Sequence, residues 1–194
     1  MSRTSHIVRK TAETDIDLQL WLDEAGTSEI VTGLGFFDHM LTHIAKHGGI
    51  RVALKAKGDL HIDEHHLVED VGICIGKALT EALGEKRGIE RFGAGFVAMD
   101  EALARTVIDL SGRPYLVFHA GFSREMINGF ALEMVKEFFQ AIASEGKMNL
   151  HVALLYGDNA HHQAEAIFKS FGRALRQAVR LTGGSDIPST KGAL

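Results

Sequence analysis

Alternation and helical periodicity divide the chain into two similar runs. Ile16, Leu18, Leu20 and Leu22 alternate with Asp15, Asp17, Gln19 and Trp21, the pattern of a strand with one buried face. Residues 5–12 read as a strand before it, and residues 29–32 as a short strand after the Ala25-Gly26-Thr27 turn. Gly33-Leu34-Gly35 interrupts the pattern. Residues 36–47 then read as a helix that Gly48-Gly49 ends. Residues 50–57 are strand-like, and beyond Gly58-Asp59 the residues Val68, Val71, Ile75 and Leu79 recur at helical spacing until about Gly84.

The second run begins after Lys86-Arg87-Gly88. It reads as strands over 96–99, 104–110 and 115–120, with the Ser111-Gly112-Arg113-Pro114 turn between the last two. A helix over 131–144 follows Asn128-Gly129, then a strand over 149–155. The last helix buries Ala164, Ile167, Phe168, Phe171, Leu175 and Val179. Val52-Ala53-Leu54 returns as Val152-Ala153-Leu154. The interval from His65-His66 to Gly76-Lys77-Ala78-Leu79 equals that from His161-His162 to Gly172-Arg173-Ala174-Leu175.

A sheet with one helical layer buries its other side only against a partner. The pattern therefore predicts one α+β domain built from a duplicated half-domain, strands–helix–strand–helix, twice. Residues 1–88 form the first half, 89–182 the second, and 183–194 a polar, extended tail that contributes to the active site. Two sheets and the long helices pack about a pseudo-twofold, with the long helices adjacent and their histidine motifs brought together.

Those motifs carry the chemistry. Asp63-Glu64-His65-His66-Leu67-Val68-Glu69-Asp70 is echoed by Asn159-Ala160-His161-His162-Gln163-Ala164-Glu165. Residues four apart share a helix face, so His65 faces with Glu69 and His161 with Glu165. His66 and His162 project about a quarter turn away. A twofold would assemble His65, Glu69 and His162 on one ion, and His161, Glu165 and His66 on another. Imidazole with carboxylate suits manganese, iron or zinc. His39, His43 and His47 also share one face, and His39 is a candidate fourth ligand. Glu137 stands at the equivalent place in the second half. Polar helix starts, or a closed structural metal, are the blander readings; structural sites are usually cysteine-rich.

Arg91, Arg113, Lys169 and the Ser189-Thr190-Lys191 segment are candidates for binding a phosphate. Gly93-Ala94-Gly95 lacks the third glycine of a dinucleotide fingerprint. The net charge of −4 argues against a general nucleic-acid binder. No apolar run spans a membrane, and the first residues lack the apolar core of a signal peptide. Cys74 is the only cysteine, expected buried and unable to form an intrachain disulfide. A cytoplasmic protein is the expectation. A metal-storage protein and a two-metal hydrolase remain competing readings; storage would have no use for Arg113, Lys169 or the tail.

These segments, with Phe37-Asp38-His39-Met40-Leu41, Gly112-Arg113-Pro114-Tyr115 and Pro188-Ser189-Thr190-Lys191-Gly192, resemble the signatures of imidazoleglycerol-phosphate dehydratase. The resemblance runs from about residue 5 to the C-terminus and is to the single-function form. It implies a hydro-lyase of histidine, hence amino-acid, biosynthesis. The substrate would be D-erythro-imidazole-glycerol phosphate, dehydrated to imidazole-acetol phosphate with a pair of manganese (Mn2+) ions per active site. By that likeness one ion is held by His39, His66, His161 and Glu165, the other by His65, Glu69, Glu137 and His162. Some members carry histidine where Glu137 stands. Glu13 matches a substrate-side acid of the family and is the expected proton-handling group, with the metal-side His65, Glu69, His161 and Glu165 as competing catalytic candidates. His43, His47, Arg91, Arg113, Lys169, Ser189 and Lys191 match substrate-contacting positions, with Thr190 between the last two. Trimers in an octahedral shell would place active sites between subunits. Since ligand histidines must be neutral, activity should fall below about pH 6.5.

Overall fold

The computed structural model describes residues 2–192 and 194. The first half runs β1 (Thr4–Lys10), β2 (Thr14–Trp21), β3 (Glu29–Val31), α1 (Gly35–Gly48), β4 (Arg51–Gly58) and α2 (His65–Leu83). The second half runs β5 (Phe92–Met99), β6 (Ala102–Asp109), β7 (Tyr115–His119), β8 (Met126–Ile127), β9 (Phe130–Ala131), α3 (Met134–Glu145), β10 (Asn149–Tyr156) and α4 (Ala160–Ala178).

The two main sheets have one topology. Their orders are β1-β2-β4-β3 and β5-β6-β10-β7. In each, only the last strand, β3 or β7, runs parallel to its neighbour. Alternation along β2 buries Ile16, Leu18 and Leu20 as its period requires. Helices cover one side of each sheet and meet along two seams, α1 on α4 and α2 on α3. Phe37, Phe138 and Phe168, from three different helices, meet in sequence where the seams converge, the first pair edge to face and the second stacked. This is the α+β fold with paired sheets that the duplicated pattern predicts.

Three details depart from the sequence reading. The long helices α2 and α4 lie about the pseudo-twofold, but the helix that each packs on is the other half's short one, not its long counterpart. Glycines explain the choice: they let the backbones approach closely. A Cβ on Gly72 would stand 2.8 Å from the Phe138 carbonyl oxygen, and one on Gly172 would stand 3.0 Å from Gly48 N. Secondly, helix α3 starts at Met134, because Asn128 and Gly129, both at positive φ, close a β8–β9 hairpin first. Thirdly, β5 begins at Phe92 and runs through Gly93-Ala94-Gly95. Those glycines are the track on which α4 rides. A Cβ at Gly93 would fall 1.9 Å from Ala174 O, and one at Gly95 would fall 2.2 Å from Ser170 O.

Cys74 is buried, and burial pushes its thiol up to about 11. Among the described residues no helix is long and apolar enough to cross a membrane.

Gly93→Ala should destabilise the fold by about 1–3 kcal/mol, since the backbone of α4 must shift to admit the methyl group. Gly121→Ala, which meets no atom within 4 Å, should stay within about 0.5 kcal/mol of the parent. Denaturant unfolding of both variants checks the contrast; equal stabilities would contradict the close α4–β5 packing.

Candidate active site

The α1–α4 seam gathers most of the chemistry. His39, His43 and His47 line one face of α1, while His161, Glu165 and Lys169 repeat every four residues on α4. Glu165 is the hub. Its Oε2 lies 3.1 Å from His161 Nε2 and 3.6 Å from His39 Nε2. Its Oε1 lies 3.4 Å from His43 Nε2 and is paired with the Lys169 ammonium. His39 and His43 approach each other at 3.1 Å between Nε2 atoms.

This setting controls the charges. Burial alone would raise the Glu165 carboxyl, but Lys169, His43 and His161 outweigh it and hold the pKa at about 2. Burial drives His43 down to about 4, against the pull of Glu165 and with the help of His39 and Lys169. His47 is lowered as well, chiefly by burial. The resting site is therefore a carboxylate with one ammonium beside it and a neutral imidazole at His43.

Local hydrogen bonds aim these helices. The Asn159 side chain caps α4 by accepting from the N–H groups of His161 (2.9 Å) and His162 (3.4 Å). Asp63 Oδ1 accepts from His65 N in the first half, at 2.9 Å. Asp38 accepts from Thr32 N and Thr32 Oγ1, fixing the turn that leads into α1 just before His39.

The second histidine of each pair faces elsewhere. His66 Nδ1 lies 3.0 Å from Asp59 Oδ2, and its Nε2 lies 3.8 Å from Glu13 Oε1. His162 Nδ1 lies 2.7 Å from Glu101 Oε2, and its Nε2 lies 3.8 Å from Asp100 Oδ2. Among the described residues, only His39, His43 and Glu165 bring ligand atoms all within 4.8 Å of one another. The trios expected from the repeat, His65 with Glu69 and His162, and His161 with Glu165 and His66, are therefore not assembled inside one chain. The physical reason is the seam pattern: each long helix is held against a short one, so the doubled histidines stay apart.

Other expected residues are distributed around this core. Glu137 stands in the first turn of α3. Arg91 pairs with Asp109 at 2.7 Å and donates to Pro188 O at 2.8 Å, which pins the tail against the second half. Arg113 donates to Ser111 O, and Ser189 Oγ accepts from Lys191 N at 3.2 Å. Thr190 is exposed. Sequence reasoning missed Asp59, Glu101, Asp38 and the Asn159 cap. Asp59 and Asn159 lie near the doubled histidines in sequence, but Glu101, in the β5–β6 turn, is brought to His162 by the pairing of β6 with β10.

The donor set suits a borderline divalent cation: imidazole nitrogens and carboxylate oxygens, with no thiolate. A carboxylate on Nδ1 of His66 and of His162 leaves Nε2 as the free ring nitrogen, the arrangement that histidine ligands usually show.

A model of the imidazoleglycerol-phosphate dehydratase family matches residues 32–175. The chain belongs to that family. The imidazoleglycerol-phosphate dehydratase of Chlorobium phaeobacteroides strain BS1 is 52% identical over 192 residues, 99% of this chain and 96% of that protein. That of Lacticaseibacillus casei strain BL23 is 52% identical over 193 residues, 99% of this chain and all of the relative. The crystal structure of imidazoleglycerol-phosphate dehydratase from Staphylococcus aureus N315 superposes with a TM-score of 0.84 at 40% identity, covering 92% of this chain and 99% of its own. The Pyrococcus furiosus enzyme in complex with (S)-C348 gives 0.84 at 39% identity, covering 97% and 100%. Membership in the imidazoleglycerol-phosphate dehydratases makes this chain a hydro-lyase of histidine biosynthesis.

The seam should make the metal-free protein acid-labile. His43 has a folded pKa of about 4, below its ordinary value of about 6.5, so its contribution is complete above pH 6.5 and is lost as pH falls towards 4. Glu165, held at about 2, acts in the same sense at lower pH: its contribution is present above about 4.5 and lost towards 2. Melting temperatures measured down through this range should fall, and His43→Gln should flatten the upper part of the decline. A profile unchanged by that substitution would contradict the buried neutral histidine.

Proposed function

We propose that the chain dehydrates D-erythro-imidazole-glycerol phosphate to imidazole-acetol phosphate in the cytoplasm, as a metal-dependent enzyme using manganese. The observation that carries this reading is the Glu165 hub: three imidazoles and an ammonium gathered on one buried carboxylate. His39, His66, His161 and Glu165 would hold one ion. His65, Glu69, Glu137 and His162 would hold the other. Bound manganese would supply Lewis-acid polarisation and a template for the substrate.

The reaction removes the hydroxyl on the carbon attached to the imidazole and a proton from the next carbon; the resulting enol becomes the ketone. No carbonyl neighbours that proton, so a positioned base is needed. Glu13 is the base we assign. Its half-exposed carboxylate lies beside His66, at the mouth of the first half's histidine pair. Arg91, Arg113, Lys169, Ser189, Thr190 and Lys191 would hold the phosphate and orient the glycerol chain, with the tail supplying the last of these. His43 and His47 share a face of α1 with His39 and would contact the substrate, with His39, His65, Glu69 and His161 around it.

Because one chain leaves the ligand sets divided, neighbouring chains would complete each site in a homo-oligomer, with trimers as the building block of an octahedral shell. The outer sheet surfaces support assembly. On the first sheet that surface is a charge ladder, with Lys10 on Asp15 at 2.7 Å and His6 on Asp17 at 2.9 Å. On the second sheet Phe92, Phe96, Val107 and Tyr115 are exposed, an apolar patch of the kind that marks an interface.

Adding manganese to metal-stripped protein should restore loss of substrate and formation of the ketone, with activity declining below about pH 6.5 as ligand histidines protonate. Binding of manganese without turnover would favour storage, and release of free phosphate would favour a phosphatase; either would sink the assignment. Light scattering should give a mass many times 21.2 kDa, reduced by Phe96→Glu. A monomeric parent protein would refute the shared site.

A further inference from the structure

Each half closes one hairpin turn beside its doubled histidine, and each turn carries a glutamate. Thr14 pairs with Gly58 in the first sheet, and Ala102 lies against Gly157 in the second, so the β1–β2 and β5–β6 turns are equivalent places. Glu13 occupies one and Glu101 the other. An aspartate follows the glycine in each case, Asp59 after Gly58 and Asp158 after Gly157.

The halves use these carboxylates in opposite ways. In the second half Glu101 holds the histidine: Oε2 accepts from His162 Nδ1 at 2.7 Å. Its Oε1 accepts from Asp158 N at 3.2 Å and Asn159 N at 2.8 Å. Asp158 thus contributes its backbone. In the first half Asp59 holds the histidine, with Oδ2 at 3.0 Å and Oδ1 at 3.3 Å from His66 Nδ1. Glu13 stands off at 3.8 Å from Nε2, on the far side of the ring.

A neutral imidazole has one donor nitrogen and one acceptor nitrogen. A carboxylate only accepts, so a carboxylate on Nδ1 places the proton there and leaves the Nε2 lone pair outward. We propose that Glu101 and Asp59 are the positioning residues of the two histidines, His162 and His66, and that Asp59 has taken over the first half's task from the turn glutamate, releasing Glu13 for the substrate. This rests on the metal reading above and adds two residues to it.

The geometry supplies a sharp test. Two N–H donors point at Glu101 Oε1, so in Glu101→Gln the amide oxygen must stay there. The amide NH2 then faces His162 Nδ1 and forces the ring proton onto Nε2. The loop bonds survive while the histidine is inverted. Manganese affinity, measured by equilibrium dialysis on the full assembly, should fall about 10- to 100-fold in Glu101→Gln, with the metal-free melting temperature unchanged. Asp59→Ala, which frees His66 Nδ1 without touching the α4 cap, should lower affinity in the same direction. Glu13→Gln should keep parental manganese affinity and lose kcat.

Parental affinity in both Glu101→Gln and Asp59→Ala would overturn the proposal, as would an equal loss of affinity in Glu13→Gln. Parent protein that takes up no manganese would bring down the metal reading and this proposal together. Uptake by the parent that both positioning variants match would bring down this proposal alone.

Discussion

A buried carboxylate must be partnered, and here the partners come from two halves of one chain. Glu165 is only 6% exposed. It is held ionised by an ammonium one turn along its own helix and by imidazoles from both sides of the seam. Leaving such a group unpaired costs several kcal/mol, of order 3–5. The α1–α4 contact is therefore both a structural joint and the frame of the candidate site. It depends on glycine: a side chain at Gly172 would press on the Gly48 and Ile44 backbone, widening the gap between His39 and Glu165.

The same economy appears across the pseudo-twofold. Gly72 and Gly76 let α2 approach α3 as Gly172 lets α4 approach α1. The scaffold is symmetric while the chemistry laid on it is not. His39 on α1 answers to Glu137 on α3, and His43 answers to Ala141. One seam therefore collects a histidine-rich cluster, whereas the other stays mostly apolar beneath its first turn. The outer sheet surfaces diverge as well. One is solvated by cross-strand ion pairs, each worth little by itself; the other exposes aromatic rings. Duplication supplied the frame, and divergence divided the frame between a histidine-rich seam, a solvated face and an apolar one.

Much of the candidate site was legible because side chains on helices obey the helical period. Spacing alone placed His161 with Glu165 and set His39, His43 and His47 on one face. The repeat of the doubled histidine revealed the duplication before any coordinates. Three things escaped. Glu101 sits 61 residues before His162, and only strand pairing brings them together. Gly93 and Gly95 fall outside the strand that the pattern predicts over 96–99, because their role, clearance for a helix backbone, involves residues some eighty positions away. The helical pattern that follows Asn128-Gly129 hides the hairpin, although the chemistry of that pair is that of a hairpin turn.

By itself the chain's pattern determined the duplicated α+β fold, the helix faces that carry imidazole and carboxylate, and the family to which they point. Those are consequences of local period and of repetition, which need no knowledge of distant contacts. The tertiary structure decided which helix each long helix packs on, and hence which histidines share a carboxylate and which remain in separate clusters. It also decided which acid holds each second histidine. Such choices rest on backbone clearance at a few glycines and on strand register, quantities that exist only once the two halves are folded against each other.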